Sequence, residues 1–209
     1  MERRILQAVL AAGLVVSAGV VAAAESQPPK PWEQLYQGQD AAGPNVLGLW
    51  QFLPGKETLD GSGRGHDLTL RGESRFVPGG VFGNCLESFR AGSDADVPHG
   101  AIVKNAPDLS PAGAFTLELW IKPKPELADC ATAFLLDKKY YPYPKDLPQA
   151  NCDYCLYLRR TGPGKYRLTA FLGYGRDSAE YVSQEIALPS GEWAHVAFTY
   201  DGEGVGRVF

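Results

Sequence analysis

Two stretches of this chain alternate so regularly that they fix its architecture. One reads Phe115-Thr-Leu-Glu-Leu-Trp-Ile-Lys-Pro123, the other Gly191-Glu-Trp-Ala-His-Val-Ala-Phe-Thr-Tyr-Asp-Gly202. A strand that alternates has one buried and one wet face. In the first, Phe115, Leu117, Leu119 and Ile121 point inward, while Thr116, Glu118, Trp120 and Lys122 point to water. In the second, Ala194, Val196, Phe198 and Tyr200 share the inner face, and Asp201-Gly202 reads as a tight hairpin turn. The pattern predicts an antiparallel all-β chain, with recognition carried on loops at the rims.

The N-terminus reads as an export signal. Glu2-Arg3-Arg4 is a short basic start, Ile5 to Val21 an almost unbroken apolar run, and Ala22-Ala23-Ala24 a small-residue cleavage site. Residues 1–24 are therefore expected to be a signal peptide, cleaved after Ala24. The rival is an uncleaved anchor, the only route to a membrane that the chain offers. Removing 24 of 209 residues leaves 185, with 18 basic and 23 acidic side chains. That balance, with no basic cluster, speaks against nucleic acid and against an anionic membrane surface. Residues 25–44, with Pro28, Pro29, Pro31 and Pro44, read as a linker, and the domain runs over 45–209.

Gly (24) and Pro (16) are abundant enough to join many short strands by turns. Strands are expected at Val46 to Leu53, His66 to Arg71, Asn84 to Phe89, Ala101 to Val103, Phe115 onward, Ala133 to Lys138, Asp153 to Arg160, Tyr166 to Gly173 and Tyr181 to Leu188. Gly72 to Gly83 reads as loop, and Gly162-Pro163-Gly164 as a hairpin turn. This spacing predicts a two-sheet sandwich or jelly roll. The chain stops just after a returning strand begins at Arg207-Val208-Phe209, which reads as a fragment ending inside its domain.

Four cysteines, Cys85, Cys130, Cys152 and Cys155, can be oxidised in an exported chain. Cys130 is expected to pair with Cys152 or Cys155, and Cys85 reads as a buried thiol. Cys152-x-x-Cys155 lacks the two further ligands a zinc site needs and the helix a redox pair heads.

Five segments, in order, resemble one family: Leu47-Gly-Leu-Trp-Gln-Phe52, Asp60-Gly-Ser-Gly-Arg-Gly-His-Asp-Leu68, Val77-Pro-Gly-Gly-Val-Phe-Gly83, and the two alternating stretches. Together they resemble the laminin G-like, concanavalin A-like lectin/glucanase jelly rolls, especially bacterial extracellular ones. The resemblance spans about residues 45–209 and implies a C-terminally incomplete jelly roll.

Two loops supply candidate ligands. Asp60 and Asp67, with Ser62 and turning glycines, offer hard oxygens of the kind calcium takes; some jelly rolls of the resembled family hold structural calcium. The alternative is that Asp60 caps a turn. In Lys138-Lys-Tyr-Tyr-Pro-Tyr-Pro-Lys145, the proline-held Tyr140, Tyr141 and Tyr143 could stack sugar rings or anchor a protein; the alternative is that they cover the core. Glu118 lacks the same-face second carboxylate that glycoside hydrolysis requires, its neighbours being Thr116 and Trp120. His66, His99 and His195 lie far apart in sequence, and no hydrolase elbow or phosphate loop is present.

The resemblance implies a non-catalytic recognition module, secreted, periplasmic or on the cell surface, with a glycan as first partner and an extracellular protein as second. The alternatives are an accessory domain of a larger secreted glycan-active enzyme and a structural or adhesive surface protein.

Overall fold

The computed structural model describes residues 43–89, 99–138, 153–174 and 177–209. They form twelve strands: β1 Leu68–Arg71, β2 Arg75–Pro78, β3 Asn84–Glu87, β4 Gly100–Val103, β5 Phe115–Ile121, β6 Thr132–Asp137, β7 Tyr154–Gly162, β8 Lys165–Tyr174, β9 Asp177–Val182, β10 Ile186–Ala187, β11 Ala194–Tyr200 and β12 Gly206–Val208. The described helices are two 3-10 turns, Pro107–Leu109 and Pro125–Asp129. None is long and apolar enough to cross a membrane. The signal peptide and most of the linker expected over residues 1–44 lie outside the described residues.

Two antiparallel sheets carry the core. β10, β8, β7 and β6 lie in that order with β9 also on β8, and β12, β11 and β5 make the second sheet. β1–β4 and β2–β3 are two-stranded ribbons. The inward residues of β5 and β11 are those the alternation predicts. Phe115, Leu117, Leu119 and Ile121 pack on Val196 and Phe198, and these face Leu156, Leu158, Leu168, Ala170 and Leu172 of β7 and β8. Each such buried side chain contributes about 1.5–3 kcal/mol, and the two greasy faces close on each other as a sandwich. The observed fold is the all-β sandwich that the sequence predicts.

Four local expectations change. Val46 to Leu53 forms no strand, because its backbone is spent on loops: Leu49 N–H donates to Asp60, Leu49 O accepts from Gly61, and Phe52 O accepts from Asn84. Phe52 also sits at φ 54°, which breaks extension. The segment read as loop after Gly72 contains β2, too short between glycines to show a period. The strand expected from Tyr181 to Leu188 is instead β9 and β10, because Ser183 replaces a stretch of ladder. Its Oγ accepts from Leu168 N–H (2.9 Å) and donates to Gln184 O (2.6 Å). The turn after β11 is a longer loop, not a two-residue hairpin, closed by Asp201 N–H donating to Val205 O. Asp201 Oδ1 accepts from Glu203 and Val205 N–H, and Gly202 and Gly204 take positive φ there.

Cys130 and Cys155 are not joined. Arg160 N–H donates to Ala131 O, so Cys130 lies beyond Arg160, five residues along β7 from Cys155. That is about 17 Å of strand, and a disulfide needs Cα atoms within about 7 Å. Cys130 keeps a free thiol turned to Glu126 O, Cys85 is also free, and Cys152 lies outside the described residues. Burial pushes the Cys85 thiol up from its ordinary value.

Candidate functional site

β5 and β11 pair from Phe115↔Tyr200 to Ile121↔Ala194. Because the core takes alternate residues, the remaining ones make a continuous outer face. Trp120 stands opposite His195, Glu118 opposite Ala197 and Thr116 opposite Thr199. Thr199 in turn neighbours Arg207, and Ala197 exchanges both backbone bonds with Phe209. Lys122 Nζ lies 5.8 Å from the ring centre of Trp193, the residue before β11. Exposed aromatic surface thus meets polar groups of both signs on one flat sheet.

The exposed aromatic side chain on β5 of this face is Trp120, on the edge strand of the sheet. Its ring is 39 % exposed and packs on the His195 imidazole with centroids 5.0 Å apart. His195 Nε2 lies 3.5 Å from Glu118 Oε2, an ion pair whenever the imidazole is protonated. Ala197 is small and stands opposite Glu118, with Phe209 on its other side. An aromatic ring rimmed by donors and acceptors suits a ligand with one apolar face and many hydroxyls. Glu118 is the only carboxylate on the outward positions of β5, β11 and β12, and its neighbour within ion-pairing distance is His195. The paired carboxyls of a glycosidase, on opposite sides of one bond, are absent from this face.

The Asp60–Asp67 loop does something different. Asp60 is 8 % exposed and its carboxylate takes four donors. Oδ1 accepts from the N–H of Leu49 (3.0 Å) and Ser62 (2.9 Å). Oδ2 accepts from Ser62 Oγ (2.7 Å) and His66 N–H (3.0 Å). Asp67 Oδ1 accepts from Asp60 N–H at 2.9 Å. Calcium wants six or more oxygens turned inward, whereas Asp60's oxygens already meet positive N–H and O–H ends. The donor set fits a turn cap rather than a cation, and no group of three metal-ligating side chains occurs among the described residues. Burial works to raise the Asp60 carboxyl, but the bonds from Ser62, Leu49 and His66 outweigh it and hold it below its ordinary value.

The rest of the loop is a clasp. His66 is buried and its Nε2 lies 3.0 Å from Asp108 Oδ2, which ties the Pro107–Leu109 turn to the loop. That bond is also the chief reason the Asp108 carboxyl lies below its usual value. Trp50 Nε1–H donates to His66 O, and Arg64 donates to Val46 O and Pro44 O. The lead-in is pinned at Pro44, Val46, Leu49 and Trp50 by one glycine-rich loop.

Tyr140, Tyr141 and Tyr143 lie outside the described residues. Sequence reasoning placed Trp120, Glu118 and His195 on wet faces but did not join them. The signal was there: a tryptophan at an outward position of a half-buried strand, in a chain whose two strands pair.

No curated protein and no solved structure gave a match. A laminin G family model, described as concanavalin A-like lectin/glucanases superfamily, matches residues 96–209, more than half of the chain and all of both core sheets. Domains of this kind are in general carbohydrate-binding or adhesive modules. The chain belongs to the laminin G family of the concanavalin A-like lectin/glucanase superfamily.

Proposed function

We propose that the chain is a non-catalytic extracellular recognition module that binds a polysaccharide on the outer face of β5, β11 and β12. The observation that carries this reading is the exposed Trp120 ring, backed by His195 and bordered by Glu118. The indole takes the C–H face of a pyranose, while Glu118, His195 and Thr116 take hydroxyl groups around it. A lone carboxylate paired with a histidine holds such a ligand without cutting it. The module comprises residues 45–209, is exported with cleavage after Ala24, and works outside the cytoplasm, in the periplasm or at the cell surface. Tyr140, Tyr141 and Tyr143 are proposed as further aromatic ligand contacts.

A glycan array followed by calorimetry on the strongest ligand tests this. Trp120→Ala should weaken binding at least about tenfold, the scale of one lost aromatic anchor, with the melting temperature nearly unchanged because the ring is partly exposed. Undiminished binding by Trp120→Ala would overturn the reading.

A further inference from the structure

We propose a small-molecule site at one end of the sandwich: a ring-sized apolar cavity, lined by Tyr166, for a neutral phenol.

Three chain segments frame it where the two sheets part. Pro123, Pro125 and Leu127 come from the exit of β5 and the 3-10 turn after it, Tyr166 from the start of β8, and Leu188 and Pro189 from the connection between β10 and β11. Prolines suit such walls because they bring ring carbons and no N–H. The backbone carbonyls beside them are already engaged: Pro123 O accepts from Gly191 N–H at 2.8 Å, and Gly164 O from Leu188 N–H at 3.3 Å. The same two bonds tie the three segments to one another. The cavity measures about 200 Å³. A cavity of about 150 Å³ takes benzene, so this one has room for a six-membered ring and one substituent.

Tyr166 sets the polar requirement. It is 3 % exposed, and its hydroxyl has no hydrogen-bond partner among the described residues. Unlike Thr169 Oγ1, that hydroxyl is not sealed from accessible space, and the cavity is the space that Tyr166 borders. Buried hydroxyls are nearly always satisfied, so a guest that brings one hydroxyl here answers this one. The other polar side chains of the wall are engaged. Lys124 Nζ lies 3.2 Å from Glu87 Oε1, and Ser190 Oγ donates to Pro123 O at 3.4 Å. A pyranose would bury several hydroxyls against too few partners, and a charged ring would find no free counter-charge. Water fares no better, since a buried water needs about two to four polar partners. A neutral ring with a single hydroxyl satisfies both the apolar walls and Tyr166.

Calorimetry of the purified protein with phenol, benzene and methyl glucoside tests the site. Phenol should bind saturably. Benzene should bind about fivefold more weakly, the effect of one lost hydrogen bond, and excess methyl glucoside should not displace phenol. Tyr166→Phe keeps the ring and loses the hydroxyl. It should bind phenol and benzene alike, and melt at the wild-type temperature or slightly above, because an unpaired hydroxyl has gone. A merely structural role for that hydroxyl would lower the melting point instead. Ala128→Trp, at an exposed position of the wall, should fill the mouth and block both ligands, and it tests the site even if Tyr166→Phe does not fold. The site is overturned by absence of saturable phenol binding, by equal wild-type affinity for phenol and benzene, or by displacement with methyl glucoside. A phenol preference that survives in Tyr166→Phe, or unchanged phenol binding by Ala128→Trp, overturns it as well. Trp120 lines no part of the cavity, so Trp120→Ala should leave phenol binding intact.

Discussion

Replacing Asp60 separates a cap from a cation site by its energetics. Asp60→Ala removes the acceptor of four hydrogen bonds. A bond to a charged group contributes about 1.5–3 kcal/mol, and a buried donor left unpaired costs about 1–3 kcal/mol. The His66 N–H bond is fully buried and water cannot replace it, while water can reach part of the other three. The expected loss is about 3–5 kcal/mol, or roughly 10 °C in melting temperature for a domain of this size. Asp60→Asn keeps one oxygen and turns an amide N–H₂ toward two of the four donors. The Ser62 hydroxyl can rotate to accept, but a backbone N–H cannot, so about 2–3 kcal/mol should go. Asp67→Asn retains the Oδ1 that accepts from Asp60 N–H and should cost under about 1 kcal/mol. Urea unfolding with the m-value monitored measures all three. The acid limb gives a second reading. A carboxyl held below its unfolded value of about 3.9 stabilises the fold above that pH, and the contribution disappears as pH falls through the folded value. Asp60→Asn should therefore flatten the acid limb. The reasoning fails if Asp60→Asn costs no more than Asp67→Asn, or if a chelator lowers the wild-type midpoint.

Two more outcomes follow from packing and burial. A Cβ on Gly206 would lie 2.5 Å from Tyr181 Cδ1 and 2.7 Å from Phe198 Cε2, and Phe198 is 0 % exposed, so its ring has no room to retreat. Gly206→Ala should destabilise by about 1–3 kcal/mol through overpacking; a wild-type melting curve would show that β12 does not press on this core. Tyr154 and Tyr157 should ionise late in an ultraviolet difference titration. Burial first, then the Asp153 charge for one and the Glu180 bond for the other, push each up to about 12. Their contribution to stability is complete below pH of about 10 and is lost as pH rises through about 12. Tyr157→Phe should remove one late-ionising group, and removal of an early one would contradict the burial argument.

How much of this was legible depended on whether a residue's partner was local or distant. β5 and β11 were readable because each carries its own period of two, though that period does not say that the two strands pair. The stretch from Val46 to Leu53 carries the same kind of pattern and is not a strand. Its hydrogen bonds go to Asp60, Gly61 and Asn84, at sequence distances that periodicity does not report. The Asp60 loop was found as a site of carboxylates, but only the donors around it distinguish a cap from a ligand shell. A cysteine pairing was expected from loop closure alone; the β6–β7 register, invisible in the sequence, sets Cys130 and Cys155 at different levels.

Register gives the proposed face site a rigidity that a rim loop lacks. A rim loop can change its ligand groups one at a time, but its backbone must be held by something else, as Asp60, His66 and Arg64 hold theirs. On a sheet face the ladder does the holding. His195 cannot leave Trp120 without a register slip that would carry Phe198 and Val196 out of their places in the core. The burial that stabilises the sandwich thereby fixes the spacing of the groups on its outer sides. Preorganised groups lose little freedom when a ligand binds, which is the physical reason to seek this protein's polysaccharide ligand on the outward face of β5 and β11 before its loops.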